Sequence, residues 1–104
     1  MNPTETSGGS NEPIRVKLKV FGGLRKLREA PVEERSLPAG STIEELWSRL
    51  ALEAPEFVGK LRDGVARGYL FVLLNGRNVV FLDGARTRLS DGDTVAVLPP
   101  IGGG

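Results

Sequence analysis

The sequence predicts an α+β fold in which a mixed β-sheet is covered by one main helix. Residues 14–20 alternate strictly between apolar and polar side chains, which is typical of a half-buried strand. Residues 43–50 instead carry apolar side chains at helical spacing, and strand-like segments return after them. Because strands precede and follow the helix rather than alternating with helices, a repeating parallel βαβ sheet is disfavoured.

The chain has the size and composition of one small domain. Its 104 residues allow a single hydrophobic core, and its net charge of +1 offers no basic surface for nucleic acid or a membrane. It has no cysteine and no histidine, which removes disulfides, thiolate nucleophiles and imidazole chemistry. No apolar run is long enough for a transmembrane helix. We therefore expect a cytoplasmic protein that is not itself an enzyme.

The sequence of residues 1–37 predicts a leader, a strand, a turn and a second strand. Residues 1–13 are almost free of apolar side chains, so we expect a disordered leader ahead of a domain at residues 14–98. After the strand at 14–20, the pair Gly22-Gly23 indicates a turn with a short helical segment. Residues 32–37 have a polar centre and predict an edge strand.

The main helix begins near Ser41. Either Ser41 with Glu44 or Thr42 with Glu45 has the spacing of a capping box. The apolar stripe that follows predicts one buried face, and it consists of Ile43, Leu46, Trp47 and Leu50. We expect this helix to end before Pro55 and to be followed by a short second turn around residues 57–61.

The second half of the chain predicts the remaining strands. Residues 69–74 form a nearly continuous apolar run, and Asn75-Gly76 is a strong signal for a tight turn. A further strand-like run at 79–82 and the turn Asp91-Gly92-Asp93 lead into the last strand at 94–98. Two carboxylates fall short of a metal site, so we expect none here. Trp47 should pack on the sheet, which is the arrangement of a β-grasp, ubiquitin-like domain.

The chain ends in an extended tail, residues 99–104, with the sequence Pro-Pro-Ile-Gly-Gly-Gly. Consecutive prolines favour a stiff extended path, and glycines contribute no packing. One interpretation is a frayed terminus. The other is a slim tail that enters a channel in a partner and presents the carboxylate of Gly104, which is anionic at neutral pH.

Four segments together resemble the MoaD/ThiS family of sulfur carriers, most closely the small subunit of molybdopterin synthase. They are residues 20–25, Val-Phe-Gly-Gly-Leu-Arg; residues 37–43, Leu-Pro-Ala-Gly-Ser-Thr-Ile; residues 89–96, Leu-Ser-Asp-Gly-Asp-Thr-Val-Ala; and the tail at 99–104. The resemblance covers the chain from about residue 14 to its end.

This resemblance implies a chemistry. A ubiquitin-activating-type, MoeB/ThiF-like adenylyltransferase would use ATP to attach AMP to Gly104, and a sulfur donor would then leave a terminal thiocarboxylate there. The carrier would dock on a sulfur acceptor such as a MoaE-like molybdopterin synthase large subunit. Gly103, Gly102 and Ile101 would thread both partner active sites. The carrier would bind no cofactor of its own.

The apolar side chains left over from the core suggest a docking surface for these partners. The predicted docking residues are Phe71, Leu73, Phe81, Leu82, Pro99 and Pro100. Three alternatives share the fold: a ubiquitin-like protein modifier, a sulfur donor for tRNA or thiamine thiolation, and a β-grasp interaction module that is never activated. The sequence does not name the acceptor that would separate them.

Overall fold

The computed structural model describes residues 12–100. Five strands are present: β1 at Ile14–Val20, β2 at Val32–Leu37, β3 at Phe71–Leu74, β4 at Arg77–Asn78 and β5 at Thr94–Leu98. The helices are α1 at Ile43–Ala51 and α2 at Pro55–Ala66. Shorter 3₁₀ helices lie at Gly22–Leu27, Val79–Phe81 and Gly84–Arg86. Residues 1–11 of the predicted leader and residues 101–104 of the predicted tail lie outside the described range.

The strands form one mixed sheet in the order β2-β1-β5-β3-β4. β1 and β5 are parallel, whereas β2 pairs with β1, β3 with β5 and β4 with β3 in antiparallel fashion. The last strand of the chain is therefore the central strand of the sheet. The predicted edge position of residues 32–37 is confirmed, because β2 pairs with β1 alone within the described part of the chain.

The core lies between one face of the sheet and the two helices. The alternation in β1 buries Ile14, Val16, Leu18 and Val20 on that face, as expected for a period of two. Trp47 belongs to the same buried cluster as Val16, Leu18, Val72 and Val97, which confirms the predicted packing of the main helix on the sheet.

Thr42, not Ser41, caps α1. Its hydroxyl oxygen accepts a hydrogen bond from the backbone N–H of Glu45 at 3.2 Å, so the second of the two capping alternatives is confirmed. Ser41 is buried and its hydroxyl donates to the carbonyl oxygen of Pro38 at 2.7 Å. Ser41 therefore stabilises the turn that leads into the helix.

The expectation of only a short turn after Pro55 is wrong. Residues Pro55–Ala66 form α2, which at 12 residues is longer than the nine of α1. Pro55 is tolerated because it occupies the first turn, where its missing N–H has no partner to lose. The helix buries Phe57, Val58 and Leu61 in the core. Gly64 also lies within it.

The predicted strand at residues 79–82 is also wrong. β4 contains only two residues, and Val79–Phe81 is a 3₁₀ helix. The side-chain oxygen of Asn78 accepts from the backbone N–H of Val80 at 3.0 Å, and this cap turns the chain out of the sheet. A local side-chain hydrogen bond thus overrides the strand propensity of two valines and a phenylalanine.

The turn before β5 agrees with its prediction. Gly92 has φ +89°, and the Asp93 carboxylate accepts from the backbone N–H of Ser90 at 2.7 Å. The Asp91 carboxylate accepts from the backbone N–H of Arg15 at 2.8 Å, which ties the turn to β1.

Residues 12–100 contain no group of three or more acidic, cysteine or histidine side chains that could hold a metal ion. No helix within that range is long and apolar enough to cross a membrane.

Candidate functional site at the root of the C-terminal tail

The tail leaves the molecule from its most constrained strand. β5 lies between β1 and β3, and its Val95 and Val97 side chains are 0% exposed. The backbone at the end of β5 is therefore held on both sides. We call residues Leu98, Pro99 and Pro100 the tail root.

One side of the tail root rests on the segment that follows β1. The backbone N–H of Phe21 donates to the carbonyl oxygen of Val97 at 2.9 Å, which extends the β1–β5 pairing by one residue. The next residue, Gly22, has φ +77°, and a Cβ built on it would lie 2.9 Å from Cδ of Pro99. The pyrrolidine ring of Pro99 therefore lies against backbone that no other residue could present without displacing it.

The other side of the tail root is Phe71. This residue pairs with Leu98 across the β3–β5 ladder. Directly opposite residues in a ladder project to the same face of the sheet, so the two side chains are neighbours. Phe71 is 37% exposed although it lies in an interior strand. The tail root is thus bordered by Gly22 on one side and by an exposed aromatic ring on the other.

The face of the sheet opposite the helices carries an apolar strip that ends at the tail root. Because Val72 and Val97 point into the core, their neighbours in the strands point the other way. The strip consists of Phe71, Leu73, Ala96 and Leu98, and we call it the open-face patch. Its side chains are half-buried or exposed, so it is an apolar surface continuous with the tail.

Two lysines border the open-face patch on β1. Lys19 lies opposite Ala96 and Lys17 opposite Thr94, both on the open face. Neither makes an ion pair with another residue of the described range 12–100. An apolar strip with positive charge along one side is complementary to a partner surface with an apolar centre and an acidic rim.

The structure brings together some of the predicted docking residues and separates others. Phe71 and Leu73 lie in the open-face patch, and Pro99 and Pro100 lie in the tail root beside it. Phe81, at 81% exposed, lies in the 3₁₀ helix that follows β4, and Leu82 packs partly buried against the core. The docking role of all six residues stays a prediction. The predicted threading residues Ile101, Gly102, Gly103 and Gly104 lie outside the described residues.

Sequence reasoning missed three members of the site. The sequence pattern predicts Leu98 only as part of the last strand, Lys19 only as a polar position of the strand at 14–20, and Gly22 only as part of a turn with a short helical segment. Alternation in 94–98 could have placed Leu98 on the open face, because Val95 and Val97 are the buried pair. The contact between Gly22 and Pro99 has no comparable local signal, since the two residues are far apart in the sequence.

The chain is similar to known proteins along most of its length. Residues 18–104 match the model of the ThiS family. Small archaeal modifier protein 3 of Haloferax volcanii is 43% identical over 65 residues, which span 62% of this chain and 71% of that protein.

Solved structures share the fold. Small archaeal modifier protein 1 of Methanosarcina acetivorans has a TM-score of 0.70 and 27% identity, with 89% of this chain and 99% of that chain covered. A Pyrococcus furiosus protein provisionally assigned as molybdopterin converting factor subunit 1 has a TM-score of 0.62 and 27% identity, covering 85% of this chain and 99% of that chain. The predicted ubiquitin-like β-grasp is thereby confirmed. The relatives are ubiquitin-like sulfur carriers and small modifier proteins.

Proposed function

The chain belongs to the ThiS family, and on that premise we propose that it carries sulfur as a thiocarboxylate on Gly104 and donates it in molybdopterin biosynthesis. The protein acts as a co-substrate: partner enzymes supply the catalytic groups, and this chain supplies the reacting carboxylate and the surface by which they hold it.

The observation that carries this proposal is the anchoring of the tail root. The hydrogen bond from Phe21 to Val97 and the contact of Pro99 with Gly22 hold the chain up to residue 99 against the domain. Beyond Pro100 the sequence contains Ile101 and then three glycines. A slim segment attached to a firmly held root can be delivered into a narrow active site at a defined distance from the docked domain.

The proposed chemistry needs two displacements at the terminus. The Gly104 carboxylate attacks the α-phosphorus of ATP, pyrophosphate leaves, and an acyl-adenylate forms. Hydrosulfide released by a sulfur donor then attacks the carbonyl carbon of the acyl-adenylate, AMP leaves, and the terminus is left as a thiocarboxylate. A carboxylate with an unperturbed pKa of about 3.3–3.7 is already ionised at neutral pH, so the first step needs no base from this chain.

The open-face patch would dock both the MoeB/ThiF-like activating enzyme and the acceptor. It is apolar, lies beside the tail root and is bordered by the cations Lys17 and Lys19. A partner that buries the patch would position the tail by the same contact that binds the domain. Both partners would then compete for one surface, so the chain would bind them one at a time.

The choice of acceptor is supported by the likeness to the Pyrococcus furiosus protein assigned as a molybdopterin converting factor subunit. In that case the thiocarboxylate sulfur displaces an oxygen leaving group from a carbon of a molybdopterin precursor bound to a MoaE-like large subunit, which forms a thioester between Gly104 and the precursor. Water then cleaves the bond between the acyl carbon and sulfur, so the sulfur stays on the precursor as a thiol and Gly104 returns to a carboxylate.

A second candidate function is supported by the 43% identity with a small archaeal modifier protein. Here the ε-amine of a lysine on a target protein attacks the carbonyl carbon of the Gly104 acyl-adenylate, AMP leaves, the amine loses a proton, and an isopeptide bond forms. The two functions share the first activation step and differ only in the nucleophile that follows.

Intact-mass measurement tests the shared chemistry. The chain is incubated with ATP, a MoeB/ThiF-like activating enzyme and a sulfur donor, and we expect a gain equal to replacing one oxygen by sulfur, localised to the peptide that ends at Gly104. A variant without Gly104 is the matched control and should gain nothing. An unchanged mass, with the activating enzyme shown to be active on another carrier, would support the interaction module instead.

A Gly103→Ala variant tests how tightly the tail is gripped. The domain should fold as before, whereas adenylation should fall because a methyl group must pass the partner's channel. Normal adenylation of this variant would contradict a narrow channel.

Two product assays separate the candidate functions. One measures the transfer of sulfur from the thiocarboxylate to a molybdopterin precursor, and the other measures conjugation of the chain to lysines of an added protein mixture.

A further inference from the structure

The outer edge of the sheet at β2 offers unbonded backbone groups. The backbone N–H of Val20 donates to the carbonyl oxygen of Pro31, so Pro31 points its backbone toward β1. In an antiparallel ladder the alternate residues point the other way. Val32, Glu34 and Ser36 therefore direct their N–H and C=O groups outward, and within residues 12–100 no backbone hydrogen bond from elsewhere reaches them.

This edge lacks most of the features that usually protect an edge strand. β2 pairs with β1 through six consecutive positions without a bulge, and it contains no proline. The opposite edge, β4, is only two residues long and turns into a 3₁₀ helix. Short edges, bulges, prolines and charged side chains are the common protections against strand addition. Of these four, β2 carries only charged side chains, at Glu33, Glu34 and Arg35. The chain protects one edge by shortness and leaves the other long enough to bind a strand.

Two concave sites lie along the outward edge of β2, on its core-facing side. The first has a volume of about 270 Å³ and an apolar floor formed by Leu37, Leu46 and Leu50, with Leu52 at its rim. Leu52 is 87% exposed, so a side chain of an added strand can reach it. The second has a volume of about 460 Å³ and lies toward the other end of β2, beside Glu33.

An ion pair separates the two concave sites. The guanidinium of Arg35 donates to both carboxylate oxygens of Glu53, at 2.8 and 3.0 Å, and both residues line both sites. Residues 33, 35 and 37 point to the core side of β2, so a strand added at the edge would place its own core-side residues opposite them. The residue opposite Leu37 faces the apolar site and the residue opposite Glu33 faces the second site. The residue opposite Arg35 lies over the ion pair and must be small.

The second site carries excess negative charge. Four carboxylates and two guanidinium groups line it: Glu29, Glu33, Glu34 and Glu53 with Arg28 and Arg35. Arg28 is held by Glu33 through two hydrogen bonds of 2.6 and 2.7 Å, and its guanidinium lies 5.0 Å from the centre of the Phe57 ring. Arg28 and Arg35 are each paired to one carboxylate, and Glu34 lies 3.8 Å from a guanidinium nitrogen of Arg15. Among the carboxylates of this site, Glu29 alone has no ion pair within the described residues 12–100, and a basic side chain would be attracted to it.

A second copy of this chain is a poor occupant of the edge. When β2 pairs with itself in antiparallel fashion, a residue whose backbone N–H and C=O point outward can only lie opposite another residue whose backbone groups point outward. The two longest registers that satisfy this place Glu34 directly opposite Glu34, or Arg35 directly opposite Arg35. Like charges directly opposite are destabilising. The first register also places Glu33 opposite Arg35 twice, but Glu33 already binds Arg28 and Arg35 already binds Glu53 within one chain. Self-pairing therefore keeps a like-charged contact and adds no carboxylate or guanidinium that lacks a partner, whereas a different strand can avoid that contact.

We propose that the free edge of β2 binds an extended segment of a partner protein by strand addition. In the antiparallel orientation the segment carries an aliphatic residue, a small residue two positions later and a lysine or arginine two positions after that. Backbone hydrogen bonds to Val32, Glu34 and Ser36 provide the attachment, and the two concave sites select the side chains. β1 separates this surface from β5 and the open-face patch, so a partner can hold the domain here while the tail is engaged elsewhere.

A synthetic peptide tests the proposal on the full-length chain. The probe is acetyl-Ser-Val-Thr-Ala-Thr-Lys-Ser-amide, titrated to millimolar concentration while amide chemical shifts of the isotope-labelled protein are recorded. We expect the largest shifts at Val32, Glu34 and Ser36. A probe with glutamate in place of its lysine should bind more weakly. Shifts confined to Phe71, Leu73 and Leu98 would instead assign the peptide to the open-face patch and overturn the proposal.

Protein variants separate the backbone and the charge contributions. Ser36→Pro removes an outward N–H without breaking a bond to β1, so the chain should fold and the probe should no longer bind. Glu29→Lys should weaken binding about two- to fivefold, as expected for one partly exposed ion pair. Glu12→Lys makes the same charge change at an exposed position that lines neither site, and it should bind normally.

Three results would contradict the proposal. One is an equal effect of Glu29→Lys and Glu12→Lys, which would mean that only net charge matters. Another is full binding by a folded Ser36→Pro variant. If that variant does not fold, Leu52→Glu replaces it as the test, because Leu52 is an exposed residue at the rim of the first site. This variant should also reduce binding, and full binding by it would contradict the proposal. The third is concentration-dependent broadening of the β2 amides without peptide, which would assign the edge to a second copy of the chain.

Discussion

Replacing Gly22 with alanine should disturb the tail root more than the rest of the fold. The new Cβ would meet Cδ of Pro99 at 2.9 Å and Cγ at 3.2 Å, both too close for an ordinary contact. The residue would also keep φ near +77°, which costs an L-residue about 1–2 kcal/mol. Gly23→Ala is the matched control, because a Cβ at Gly23 meets nothing within 4 Å and Gly23 has no positive φ.

The strain introduced by Gly22→Ala can either lower the free energy of unfolding or be relieved by displacement of the tail root. Overpacking in a closed core costs about 1–3 kcal/mol, but Pro99 is exposed and can move outward, so most of that strain can be relieved by displacing the tail root. We therefore expect a loss of about 1–2 kcal/mol in the free energy of unfolding, close to the backbone cost alone. The control should change by less than about 0.5 kcal/mol, as surface substitutions usually do.

Chemical denaturation measures the loss in the free energy of unfolding, and amide chemical shifts report the displacement of the tail root. The Gly22→Ala variant should shift the amides of Val97 and Leu98, whereas the Gly23→Ala variant should leave them in place. Under the proposed function, adenylation of Gly104 should also fall, by roughly tenfold or more, since small misplacements of reacting groups cost up to about a hundredfold. A Gly22→Ala variant with unchanged stability and unchanged shifts at Val97 and Leu98 would refute the role assigned to this glycine.

Four further outcomes are expected. Gly59→Ala should raise the free energy of unfolding by about 0.5–1 kcal/mol, because Gly59 lies in the interior of α2 with nothing within 4 Å of its would-be Cβ. Gly64→Ala in the same helix should lower it, because its Cβ would lie 2.5 Å from a leucine methyl carbon; denaturation curves that rank the two variants in the opposite order would contradict this. Hydrogen bonds from Arg62 hold the pKa of Glu44 below its usual value, so this pair's contribution is fully present above about pH 4.3, the unfolded value. It is lost as the pH falls through the lower folded pKa, and a Glu44→Gln variant should show a smaller acid-dependent loss of stability in denaturation at stepped pH. Phe71→Ser should weaken binding to the activating enzyme with little change in folding, and calorimetry that finds equal affinity would remove the open-face patch from the docking surface.

Much of the fold followed from local patterns. The alternation of β1, the cap and stripe of α1 and the turn before β5 are each encoded within a few neighbouring residues, and the structure confirms them. The predicted end of the main helix before Pro55 is confirmed, because α1 ends at Ala51. The short turn predicted around residues 57–61 is instead the 12-residue α2, which begins at Pro55 and contains Gly59 and Gly64. The prediction of a strand at residues 79–82 is wrong because the side chain of Asn78 caps a 3₁₀ helix there.

The sequence by itself determined the family, the core face of each long element and the glycine tail, because each depends on residue types at fixed spacing. Only the tertiary structure decided how the tail is held and which surfaces are free. The contact of Gly22 with Pro99, the side-by-side placement of Phe71 and Leu98, and the unbonded edge of β2 all depend on which strands become neighbours. Strand order follows from the packing of the whole chain on one core, and no local pattern contains it.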